Sequence, residues 1–222
     1  MKTVLFSFLT FSLLFLSSCN SNAQRWGRGI EGEGPVVEKT YEMDDFTGLG
    51  LGIRATVFIK KGSSNTVTIK GQENILENID MEVDGGSLNL EFDRNVKEAE
   101  PVEVYVEMDE ITELAIGGSG DIKVEDRFMG LGSVELAIGG SGSIELMGSA
   151  QSLEIAVAGS GDIICGELEV AEAEVSIAGS GDVIIHVTDD LEVSIAGSGD
   201  VRYKGDPKVE SSIIGSGDVR AM

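Results

Sequence analysis

Residues 174–184 read Glu-Val-Ser-Ile-Ala-Gly-Ser-Gly-Asp-Val-Ile, and residues 192–202 read Glu-Val-Ser-Ile-Ala-Gly-Ser-Gly-Asp-Val-Arg. The near identity is one instance of a longer series. Gly-Ser-Gly-Asp, or its copy Gly-Ser-Gly-Ser, begins at Gly118, Gly140, Gly159, Gly179, Gly197 and Gly215, at intervals of 22, 19, 20, 18 and 18 residues. A repeat of about 20 residues is one supersecondary unit that buries its apolar face only against its neighbours.

Aligning the six copies gives columns. Leu114, Leu136, Ile155, Val175 and Val193 precede the first glycine by four, and Ile116, Ile138, Val157, Ile177, Ile195 and Ile213 precede it by two. Ala or Ser stands between them each time, the two-residue alternation of a strand with one buried face. After the motif the alternation resumes at Ile122, Ile144, Ile163, Val183, Val201 and Val219. Each unit is therefore strand, glycine corner, strand. The spacing predicts an all-β parallel β-solenoid over 113–222, a single-stranded β-helix, wound right-handed as parallel crossovers are. Within 41–112 the segments Ile53–Ile59, Val67–Ile69, Leu88–Phe92 and Val102–Val106 alternate without the motif. They read as irregular coils capping the first rung, with a short helix in 72–80.

Lys2 and the run Val4–Phe15 form the charged and apolar parts of a secretory signal covering 1–18. Its end, Leu16-Ser17-Ser18-Cys19, resembles a bacterial lipobox, which makes Cys19 the lipidated residue; ordinary cleavage after Ala23 is the alternative. Residues 19–40 lack an apolar period and read as the tether from lipid to domain. Durable attachment needs more than one acyl chain. The expected place is the cell envelope, at the outer membrane, with the periplasmic or outer face left open.

The chain has 222 residues, which allows one or two domains, and a formal charge of −23. Such an excess of carboxylates excludes nucleic acid as a partner. Aromatic residues make up 5%, too few for a ring-lined sugar groove. His186 is the only histidine, which removes His-based triads and multi-His zinc sites. Cys165 falls in an inward column with Val124, Leu146, Ile185 and Tyr203 and reads as a buried hydrophobe, whereas His186 has the outward parity.

With the lipobox-like leader, the early Asp45-Phe46 segment followed by Val57-Phe58-Ile59, and the repeated Ala-Gly-Ser-Gly-Asp and Gly-Gly-Ser-Gly-Asp corners, residues 41–222 resemble the head GIN domain, the "putative auto-transporter adhesin" family of Bacteroidetes. The resemblance implies a pectin-lyase-like right-handed β-helix without lyase catalytic residues, and a role in cell adhesion. It brings no mapped site residues. The expected function is a non-enzymatic envelope adhesin or interaction module with an unknown envelope or cell-surface partner.

Candidate chemistry lies in two further columns. Glu113, Glu135, Glu154, Glu174, Glu192 and Glu210 stand five residues before each corner, an outward ladder at about 4.8 Å spacing if the rungs stack in register. Asp121, Ser143, Asp162, Asp182, Asp200 and Asp218 sit at the corners. The glutamates read as a solvated face that resists lateral aggregation, or as a collector of hard divalent cations such as Ca2+. Each corner aspartate is expected to accept backbone N–H groups within its own turn. The corner serines Ser119, Ser141, Ser160, Ser180, Ser198 and Ser216 read as hydroxyls stacking between coils, not as nucleophiles. A polysaccharide lyase is disfavoured by the acidic surface. A self-assembling scaffold that pairs through its C-terminal rung is the remaining alternative.

Overall fold

The computed structural model describes residues 29–222. Cys19 and the signal segment 1–18 lie outside the described residues. In chain order the strands are β1 (Ile30–Glu31), β2 (Val36–Glu42), β3 (Gly48–Leu51), β4 (Ala55–Lys61) and β5 (Thr66–Gln72). The helix α1 (Glu73–Leu76) follows. Then come β6 (Ile79–Asp84), β7 (Ser87–Phe92), β8 (Val96–Glu98), β9 (Val102–Met108), β10 (Glu113–Ile116), β11 (Asp121–Val124) and β12 (Phe128–Ile138). The last are β13 (Ser143–Gly159), β14 (Asp162–Gly179), β15 (Val183–Gly197), β16 (Val201–Lys204), β17 (Lys208–Gly215) and β18 (Val219–Ala221).

The parallel β-solenoid expected from the repeat is present, with about five turns. β10 lies on β12, β12 on β13, β13 on β14, β14 on β15, and β15 on β16 and β17, all parallel. The aligned columns become spatial neighbours: Ile155 faces Val175, Val175 faces Val193, and Ile177 faces Ile195. Those side chains are buried, as are Ile122, Ile144, Ile163, Val183 and Val201 in the column beyond the corner. Inward and outward positions alternate because successive Cβ atoms of a strand point to opposite faces.

Below the repeat the stack continues without the corner motif. β10 and β11 rest on β3 and β4, and these rest on β7 and β9. The rung laid down first by the chain is thus the inner one; the chain passes outward through β5, α1 and β6 before returning to β10. Beyond these the sheet is extended by antiparallel strands, β5 on β9, β2 on β5, and β6 on β7. The outermost strands β2 and β6 have one partner each, and the exposed charges they carry, Glu38 and Glu42 on β2 and Asp80, Glu82 and Asp84 on β6, are of the kind that blunts a sheet edge. Within the stretch 19–40 read as a tether, residues 30–31 and 36–40 lie in sheet: β1 pairs with β8, and β2 with β5. Pairing partners far along the chain placed these residues, which their local composition could not indicate.

Candidate functional site

The corners are held by backbone, and this dictates their glycines. The N–H of Ser141 donates to the carbonyl oxygen of Gly118, and Ser160, Ser180, Ser198 and Ser216 donate in the same way to Gly140, Gly159, Gly179 and Gly197, at 2.8–2.9 Å. So close an approach leaves no room for a Cβ. One built on Gly140, Gly159, Gly179, Gly197 or Gly215 would overlap the backbone of the glycine beneath. Gly118, on the lowest corner, meets nothing. The serine hydroxyls are exposed and form no hydrogen bond among the described residues, so the amide groups, and not the hydroxyls, stack the corners.

The corner carboxylates also act between rungs and not within their own turns. Asp121 Oδ1 accepts the N–H of Ser143 at 3.1 Å, Asp162 that of Asp182 at 3.0 Å, Asp182 that of Asp200 at 3.0 Å, and Asp200 that of Asp218 at 3.1 Å. Ser143 has no carboxylate to offer the next rung, and there the N–H of Asp162 turns to the carbonyl of Gly142. The reason is distance: the next rung is one sheet spacing away, and its corner N–H points along the stacking axis.

The glutamates form the ladder that the repeat predicts. Glu113 pairs with Glu135, Glu135 with Glu154, Glu154 with Glu174, Glu174 with Glu192, and Glu192 with Glu210. Partial burial and then the flanking glutamates hold the carboxyls of Glu135 and Glu174 above the ordinary carboxylate range. Glu210 moves the other way, because Lys208 Nζ donates to it at 2.6 Å. Beside this ladder runs a second column that sequence reasoning missed: Ser133, Ser152, Glu172, Asp190 and Lys208 in register. It is readable two residues before each ladder glutamate from Glu135 to Glu210. The two columns line a shallow groove of about 380 Å³ along Glu154, Glu172, Glu174, Asp190, Glu192 and Glu210. Among the described residues no group of three or more His, Cys, Asp or Glu side chains is arranged to hold a metal ion. A ladder strings its carboxylates along a line instead of gathering them around a point.

The remaining candidates are settled by burial. Cys165 is fully buried and its thiol is pushed up to about 12, which leaves no thiolate for chemistry. His186 is half-buried beside a second groove of about 410 Å³ lined also by Arg127, Met129, Glu167, Glu169 and Lys204. Two cations of that groove are already engaged, Arg127 with Glu167 and Lys204 with the carbonyl of Gly166. Among the described residues no helix is long and apolar enough to cross a membrane.

The sequence profile of the family described as "Putative auto-transporter adhesin, head GIN domain" matches residues 45–207. A "putative adhesin" from Bacteroides fragilis NCTC 9343 has a solved structure that superposes with a TM-score of 0.69 at 21% identity, covering 87% of this chain and 100% of that one. A "putative adhesin" from Parabacteroides merdae ATCC 43184 gives 0.52 at 22% identity over 87% and 98%. A "putative lipid binding protein" from Parabacteroides distasonis ATCC 8503 gives 0.54 at 22% identity over 87% and 99%. At these identities the likeness is one of fold. No curated protein matches the chain.

Proposed function

Because this chain belongs to the head GIN domain family, we propose that it is a non-enzymatic adhesin of the cell envelope, held by lipid at Cys19 and presenting the carboxylate face of its solenoid to a partner. The observation that carries this reading is the unbroken register from Glu113 to Glu210, which fixes six like charges on a frame of stacked strands. Like charges held side by side cost stability, and a surface serving only solubility does not need them aligned. Among the described residues the corner serine hydroxyls are hydrogen-bonded to no base and the one thiol is buried, which supports binding over catalysis. A solenoid also suits adhesion mechanically, since every rung is tied to the next by a row of backbone hydrogen bonds.

Adhesion requires the domain to face outward. Protease treatment of intact cells is expected to remove the domain from the cell surface and abolish attachment, while a Cys19→Ala chain is recovered free of the membrane fraction. Full protection from protease on intact cells would contradict an adhesive role and leave a periplasmic one.

A further inference from the structure

The charge of the solenoid is not spread evenly. Residues 128–200 contain thirteen Asp and Glu and neither Lys nor Arg, whereas residues 201–222 contain Arg202, Lys204, Lys208 and Arg220 against Asp206, Glu210 and Asp218. The change coincides with an open edge. Among the described residues β17 pairs only with β15, and β18 only with β16. On that last rung Ile213 continues the inward column of Ile195, which is 2% exposed, yet Ile213 is 39% exposed, and Ile214 is 76% exposed. The opposite end differs in charge: its outermost strands, each with one partner like β17, carry Asp80, Glu82 and Asp84 on β6 and Glu38 and Glu42 on β2.

We propose that two copies of this chain join end to end across β17, antiparallel and related by a two-fold axis through Ser211. Strands paired antiparallel keep inward residues opposite inward residues. With Ser211 on the axis, Val209 meets the partner's Ile213, and the two Ser211 hydroxyls meet each other. On the outward face Glu210 meets the partner's Ser212, and the alkyl stem of Lys208 covers the partner's Ile214. No carboxylate stands opposite another. Head-to-tail stacking would instead lay the outward Glu210 and Ile214 along outermost strands whose outward positions carry carboxylates. The two-fold arrangement satisfies the free edge of β17 and points both acidic bodies away from the contact. Its symmetry closes the assembly at two copies. The proposal does not depend on the adhesive reading.

Sedimentation velocity of the purified protein over a concentration series tests it. A dimer is expected, favoured by added salt because salt screens the repulsion between the acidic bodies. Ile213→Lys and Ile214→Lys are each expected to raise the dissociation constant about tenfold or more, by burying a charge or setting it against the partner's Lys208. Ile214→Glu, which meets the same lysine, is expected to retain the dimer, and Ser211→Cys to cross-link it on oxidation. Circular dichroism of each variant confirms that the solenoid is intact. A monomer at all concentrations, equal loss from Ile214→Lys and Ile214→Glu, or an association weakened by salt, as a rung seated on a neighbour's acidic flank would be, overturns the proposal.

Discussion

The side chain that matters most at each corner is the one that is missing. Gly159, Gly179, Gly197 and Gly215 have φ of 139°, 144°, 147° and 137°, a region L-residues rarely adopt, and each lies against the backbone of the rung below. Gly118 shares the motif but neither constraint. Chemical denaturation is therefore expected to show Gly179→Ala costing about 2–3 kcal/mol, from clash and positive φ together, with Gly118→Ala within about 0.5 kcal/mol of the parent. Equal costs would mean that the glycines serve local turn geometry and not stacking. The sequence made the corners visible but not this asymmetry, because Gly118 differs from Gly179 only in what lies beneath it. The same holds for Asp182: its position was readable, whereas its acceptance of the Asp200 N–H required the neighbouring rung.

At the scale of the strand, the stack sets apolar columns that favour register against carboxylate columns that oppose it. Adjacent unit charges one rung apart repel by about 1 kcal/mol in water before screening. Glu174 has a glutamate on both sides, so Glu174→Gln is expected to raise the melting temperature by about 2–4 °C at neutral pH and low salt. The pH dependence has a definite sign. The folded state holds Glu135 and Glu174 above the ordinary carboxylate range, so between that range and their raised values it binds more protons than the unfolded chain. Stability should therefore increase as pH falls from neutral through this window, and the advantage of Glu174→Gln should shrink over the same window. A glutamine that lowers the melting temperature, or a gain that ignores pH, would mean that the ladder does not repel.

For the whole molecule, the repeat carried the fold from Glu113 onward, since columns that recur in sequence have only one economical arrangement in space, one above another. The half before it was harder to read. Its strands were legible as alternation, from Val57-Phe58-Ile59 to Val102–Val106, but their order was not: no motif marks that β7 and β9 lie outside β3 and β4. The acidic columns were half legible. Six aligned glutamates stood out, while Glu172 and Asp190 passed unnoticed because their column opens with Ser133 and Ser152 and ends in Lys208. What unites these levels is the vertical alignment of the corners, on which the buried core, the amide rows and the charged face all depend. Pulsed electron paramagnetic resonance on paired spin labels measures it directly, with labels on Cys replacing the exposed corner serines while native Cys165 stays buried and unreactive. Labels at Ser119 and Ser198, four rungs apart, should lie about 19 Å from each other, and labels at Ser119 and Ser216 about 24 Å, one further sheet spacing of about 4.8 Å. Distances that fail to lengthen from the first pair to the second would contradict the stacked solenoid.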